Sequence, residues 1–365
     1  MLTNSVLYRF SLNILLVFVL FLPTESLSAR KRRTLSGPSG KEPVRLVEEV
    51  SLYLRQKGIA NKISFGEKRD AGFSVDIFLK PSEDYLAKDI TDGLKSMFGR
   101  SGANIQPAKN IGLPDGIECF EKHLIFIKRK KTGVLRFNRV YSGYVTIIID
   151  DFGNSLNYFR LLEKIKEPVD CAVLPHLRYS KESAVKLNSM GFEVMLHCPM
   201  EPESIAIDAG KGVILSDMNE QEIRRTLEEN LESVPFAAGI NNHMGSKACM
   251  AKNLIRTVLK QTDEKGLFFA DSLTSSSSVI CQVAEEIGCP VIKRDIFLDN
   301  VKEDKAIRDA FENLIKLSKK KGRAVGIGHY REQTLKILIS YLDVIKYNDL
   351  KIVPASEMVT IGDGY

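Results

Sequence analysis

From Tyr144 onward, short apolar runs rich in β-branched residues alternate with stretches whose apolar residues recur every three or four positions. The runs predict strands at Val145–Ile149, Asp170–Leu174, Glu193–Leu196, Ala237–Ile240, Leu267–Ala270, Pro290–Ile292, Ala324–Ile327 and Lys351–Val353. Between them, Leu156, Phe159, Leu162 and Ile165 fall on one helical face, as do Ile223, Leu227 and Leu231, and then Ile307, Phe311, Leu314 and Ile315. These stripes read as core faces. Strands alternating with helices imply parallel pairing with helices covering the sheet. Seven or eight such units in about 220 residues suit a barrel better than an open doubly wound sheet. No GxGxxG follows the first strand, which weakens a dinucleotide-binding version of the open sheet.

The preceding region has a different texture. Val47, Val50, Leu52, Tyr53 and Leu54 lie near helical spacing, Phe73–Ile77 alternates like a strand, Tyr85–Phe98 is helix-like, and Leu124–Ile127 reads as a strand before a basic run. A small α+β domain over residues 43–135 fits, ahead of a barrel over 143–365. Its one histidine, His123, reads as solvent-facing. Residues 29–42 are rich in Ser, Gly, Lys and Arg without apolar period and predict a flexible linker.

The expected signal segment, residues 1–28, holds Arg9, an uncharged run from Leu12 to Leu22 and Pro23, and it ends in the small-residue stretch Ser26–Ala29 that runs into the linker. That order describes a secretory signal peptide, and the run is short for a membrane span of about 17–25 residues. Export to a periplasm or cell envelope is expected, with an uncleaved membrane anchor as the alternative. Basic residues flank both sides of the run, so its orientation stays open.

Composition adds little. At 44% hydrophobic and 27% charged the 365-residue chain is ordinary for a globular protein. A net charge of +6, spread along the chain, makes no case for nucleic acid as a partner. The six cysteines form no CxxC pair, so neither a zinc knuckle nor a disulfide framework is expected. No protein partner is predictable.

The polar residues are more informative. In parallel α/β folds the site is built at the strands' C-terminal ends. There the sequence places Asp150-Asp151, His176, His197, Asn241-Asn242-His243, Asp271, Arg294-Asp295 with Asp299 close behind, and His329. Four of the five histidines thus fall on one rim. His and carboxylate converging there suit a divalent metal, zinc above others, and hence hydrolysis. A paired carboxylate then divides labour between metal ligand and proton acceptor.

The runs Ile147–Gly153, Ala172–His176, Leu196–Pro202, Asn241–Ser246, Phe268–Ser272, Arg294–Asn300 and Ile327–His329 together resemble the divergent, second polysaccharide deacetylase family. The resemblance covers nearly all of the C-terminal region and none of the N-terminal one. It implies a distorted (β/α) barrel of the NodB-like type with seven or eight units. It also implies a metal-dependent deacetylase acting on N-acetyl groups of an envelope or exported polysaccharide. Carried over, Asp150 would be the base, Asp151, His197 and His243 would hold the metal, and His329 would be the acid. The broader superfamily takes both metal histidines from one HxxxH motif, which this chain lacks. Asp271 and His176 are therefore alternative ligands. Asn242, Asp295 and Asp299 are candidates to orient ligands or contact substrate, with caps or ion pairs as the plainer reading of the two aspartates. A weakly catalytic glycan-binding protein, or a metal hydrolase cutting another glycan bond, are the competing readings. With no Trp in the chain, Tyr158, Tyr179, Phe297 and Tyr330 are the rings left to stack on a sugar, with core or surface roles the plainer reading of each.

Overall fold

The computed structural model describes residues 41–361 apart from 60, 66–72, 84, 101–102, 109–117, 128–129 and 205. The expected signal segment lies outside the described residues, as does the expected linker except its last two positions, which open the first helix. Among the described residues no helix is long and apolar enough to cross a membrane.

The N-terminal region comprises α1 (Lys41–Gln56), β1 (Asn61–Phe65), β2 (Phe73–Leu79), α2 (Leu86–Arg100), β3 (Ala103–Ala108), β4 (Glu118–Ile127) and β5 (Lys130–Arg139). Its sheet runs β1-β2-β5-β4-β3. Alternate residues Phe73, Val75, Ile77 and Leu79 of β2 are buried with Val50 and Leu54 of α1 and Ile90, Leu94 and Phe98 of α2. The alternation of β2 thus did predict its buried face. His123 is a correction: paired with Leu135, it falls on the helix-facing side and is buried edge-on to Phe137.

The second sheet is the larger. Its elements are β6 (Gly143–Phe152), α3 (Phe159–Leu162), β7 (Asp170–Val173), α4 (Ser180–Ser189), β8 (Glu193–Met200), α5 (Glu220–Ser233), β9 (Ala237–Met244) and α6 (Lys252–Glu264). There follow β10 (Phe268–Asp271), α7 (Ile280–Ile287), β11 (Val291–Lys293), β12 (Ile296–Phe297), α8 (Asp304–Lys321), β13 (Arg323–His329), α9 (Glu332–Tyr347), β14 (Leu350–Ile352) and α10 (Ala355–Ile361). All pairings are parallel, in the order β11-β10-β9-β8-β7-β6-β13-β12, with β14 beside β6.

The two edge strands β11 and β12 are separated in sequence by Arg294 and Asp295 alone. Their amides donate to Asp271 O on β10 and Val325 O on β13, so the sheet curls until its edges meet. The pleat then sorts residues into lumen and helix layer. Ile148, Ala172, Met195, Phe268, Ala270, Ile292, Val325 and Ile327 fill the lumen with Ala355 and Met358 of α10, which closes the barrel base. Val145, Ile147, Ile149, Cys171, Leu196, Ile240 and Phe269 face the helices. Gly239 points inward, where a Cβ would stand 2.4 Å from the ring of Phe268.

Candidate active site

The rim is built by one pleat rule and one violation of it. Thr146, Ile148 and Asp150 of β6 share the inward face, so Asp150 faces the lumen and Asp151 should face away. A register irregularity between Ile149 and Phe152 and a φ of 69° at Asp151 turn the second carboxylate back toward the mouth. Both aspartates serve the rim while still within the strand, and not past its end as expected. Positive φ recurs at the rim in His176, Met244 and Leu273, a concentration of costly backbone of the kind found at functional sites.

Strands β8 and β9 run four residues beyond their expected ends. His197 pairs with Asn241, Cys198 with Asn242, Pro199 with His243 and Met200 with Met244, so polar segments continue the ladder. His197 and His243 consequently project into the same mouth from adjacent strands.

Three donor atoms converge there. His197 Nε2 lies 3.4 Å from Asp151 Oδ1 and 3.0 Å from His243 Nδ1, which is 3.6 Å from the same Asp151 oxygen. Among the described residues no other trio of His, Cys, Asp or Glu ligand atoms gathers this closely. Tetrahedral ligands at about 2.0–2.1 Å from zinc stand about 3.3–3.4 Å apart, which these separations match. Asp151 Oδ1 is buried with no well-aligned hydrogen bond. Two ring nitrogens facing each other need either a shared proton or one cation between them. The donor set therefore fits a divalent metal.

The charges agree. Burial opposes a charge on His197, but the Asp150 carboxylate 3.6 Å away, with Asp151, outweighs it and lifts the imidazole to about 8. His243 is pushed down to about 4, by burial and then by His197, so its ring offers a lone pair. Burial raises Asp151, yet its histidine neighbours, His197 foremost, hold it well below the usual carboxylate range. Asp150 moves the other way: burial raises it, against the pull of His197. The pocket's two carboxylates demand positive charge, and a bound cation would supply what the His197 proton otherwise does.

Across β6, His329 pairs in register with Asp150. Its Nδ1 is 2.7 Å from Asp299 Oδ1, its backbone N donates to Asp299 Oδ2, and Thr334 Oγ1 donates to that same oxygen. Burial lowers His329, but the Asp299 hydrogen bond outweighs it and raises the imidazole.

A family model described as divergent polysaccharide deacetylase matches residues 147–359, which hold every residue of this cluster. The chain belongs to that family. It is 33% identical over 225 residues to the uncharacterised protein YibQ of Escherichia coli K12, spanning 60% of this chain and 68% of the relative. An uncharacterised protein of Haemophilus influenzae is 31% identical over 194 residues, spanning 53% and 69%. A crystal structure of an uncharacterised protein from Agrobacterium tumefaciens C58 superposes with a TM-score of 0.56 at 17% identity. It covers 60% of this chain and 90% of that one, and shares the fold.

Within this deacetylase-family barrel the other candidates take their places. Asp271 faces the helix layer, accepting from Leu273 N and Ser278 Oγ, and is not with the cluster. His176 Nε2 is 2.8 Å from Asn230 Oδ1, and its ring is outside the trio. Asn242 points outward, donating to Met244 O and accepting from Ser272 N. Asp295 accepts from Val325 N and pairs with Lys321, so the plainer reading holds for it. Asp299 orients His329. Phe297 has Arg294 over its ring at 4.2 Å and His329 parallel to it at 5.6 Å, so it is no open platform for a sugar. Tyr330 is buried against Phe152.

Asn241 is the residue sequence reasoning passed over in favour of Asn242. Its Nδ2 donates to Asp150 Oδ1 at 2.8 Å, and its Oδ1 lies 2.9 Å from His197 Nδ1. The expected strand ended at Ile240 and left both residues beyond it; because β9 continues to Met244, Asn241 and His243 share its inward face.

Proposed function

We propose that this family member is a metal-dependent hydrolase that removes acetyl groups from N-acetylated sugars of an exported or envelope polysaccharide. The observation that carries the reading is the convergence of Asp151 Oδ1, His197 Nε2 and His243 Nδ1 beside a fourth, buried group, Asp150. Asp151, His197 and His243 would hold a divalent cation, zinc in the first instance. When bound, that ion supplies Lewis acidity toward a carbonyl oxygen and toward water.

The chain's own residues do the proton work. Asp150 has Oδ1 engaged by Asn241, leaving Oδ2 to take a proton from the attacking water. Burial strengthens it as a base relative to an exposed aspartate. The new C–O bond forms at the acetamide carbon as the C–N bond breaks. His329, with Nδ1 held by Asp299, has Nε2 to protonate the departing amine, and its raised pKa keeps that proton available near neutral pH. Acetate and a free amino sugar result. The N-terminal pattern supports export, by a cleaved signal or with membrane attachment through that segment.

The test is acetate release by the full chain from chitin oligomers and peptidoglycan fragments, with metal analysis of wild type, Asp151→Ala and His243→Ala. One zinc per wild-type chain and acetate release, both lost in the variants, are expected. Full zinc occupancy in both variants removes the ligand assignment. Glycan binding with zinc present and no acetate released would favour a binding protein instead.

A further inference from the structure

We infer that Asn241 is a positioning residue that makes two strand ends one metal-binding unit, by deciding which nitrogen of His197 and which oxygen of Asp150 stay free. The inference rests on the functional reading above. His197 and His243 come from different strands, so no short helical motif sets their relative orientation. Their connection is the β8·β9 ladder, in which His197 faces Asn241 and His243 lies two residues further on the same face.

The chemistry of the amide does the rest. An amide oxygen only accepts and an amide NH2 only donates. Nδ2 of Asn241 sits 2.8 Å from a carboxylate oxygen of Asp150 and 3.3 Å from Ser272 Oγ, so the NH2 end is on that side. Oδ1 then faces His197 Nδ1 at 2.9 Å, and that nitrogen must carry the proton. Once the ring gives up its second proton to a cation, the lone pair falls on Nε2, the atom 3.0 Å from His243 Nδ1 and 3.4 Å from Asp151 Oδ1. In the opposite sense, the bond to Asp150 Oδ1 leaves Oδ2, 3.6 Å from His197 Nε2, as the open acceptor. A flipped amide would set its oxygen against the carboxylate. Asn241 is fully buried, so no water stands ready to replace it. Its neutrality also matters, because an aspartate there would place another carboxylate against Asp150.

The full chain, labelled with 15N at its five histidines, reports the ring directly, and zinc affinity is read by competition with a chromophoric chelator. Wild type is expected to show His197 protonated at Nδ1, and Asn241→Ala to lose that preference and bind zinc about 10–100-fold more weakly. Asn241→Asp keeps the shape and the acceptor toward His197 but not the donor toward Asp150. It should bind zinc within about threefold of wild type yet lose roughly tenfold or more in kcat for acetate release at unchanged KM. Wild-type tautomer and zinc affinity in folded Asn241→Ala would overturn the inference. If that variant does not fold, Asn241→Asp decides alone: weakened zinc binding, or an unchanged kcat, overturns it. Ring state and zinc affinity need no deacetylase activity. A wild type that binds zinc but releases no acetate therefore defeats the functional reading alone, and one that binds no zinc defeats both.

Discussion

The two ends of the barrel each bury carboxylates, and to opposite effect. At the base, the fully enclosed Asp170 of β7 faces the half-buried Glu193 of β8 in register. Ala355 N donates to both Asp170 oxygens at 3.0 and 3.2 Å, and Ser356 N donates to Glu193 Oε1 at 3.0 Å. Backbone amides of α10 thus reach both carboxyls of the pair. At the rim, Asp150 and Asp151 meet imidazoles, and Asp151 Oδ1 lacks a well-aligned partner. A buried acidic pair is therefore not in itself a site. What separates the ends is whether neighbours already neutralise the charge or leave it open to a cation.

Substitutions at the two ends test that contrast. Asp150→Asn should have the largest effect, lowering kcat for acetate release by about 10²–10⁴-fold while zinc affinity stays within a few-fold. Chelator competition beside the acetate assay checks it, and collapse of zinc binding would move Asp150 into the ligand set. Asp299→Asn should follow, with kcat down roughly 10–100-fold and KM little changed, since it acts only through His329. Because Asp299 raises His329, its removal should also shift the alkaline limb of the kcat–pH profile to lower pH.

At the base, Asp170→Ala should leave zinc binding and acetate release intact and cost about 1–3 kcal/mol in stability, read by denaturant unfolding, because the buried Ala355 amide loses its acceptor. Asp170→Asn tests the sign of its titration. Burial, then the Glu193 hydrogen bond, raise Asp170 well above the usual carboxylate range. A raised acid stabilises the fold when protonated, fully below its unfolded value of about 3.9, and that contribution is lost as pH rises through the folded value. Wild-type Tm should carry that decline and Asp170→Asn should not. The smallest effect belongs to His176→Asn, which keeps a residue tolerant of positive φ. Zinc stoichiometry and acetate release within about twofold of wild type are expected, as its ring is committed to Asn230. Loss of zinc would bring His176 back as a ligand.

Much of this was legible in the chain because burial has a local period. Ile147, Ile149, Leu227 and Phe311 announce their faces through spacing of two or of three to four, and the eight strands expected in the C-terminal region all occur. Strands β1, β3, β5 and β12 were missed: β5 opens on basic residues, and β12 spans two residues. That polar residues gather after strands located the rim, since parallel strands deliver all their C-terminal ends to one side. Which of them meet was another matter. The kink that returns Asp151 to the mouth, the outward turn of Asp271 and Asn242, and the extension of β8 along β9 arise from register between distant strands. The convergence of Asp151, His197 and His243 is made by segments about 45 to 90 positions apart in sequence, as their numbers show. Residue types and periodicity determine what a strand buries, while the convergence of donor atoms depends on how strands are aligned, which only the folded sheet decides.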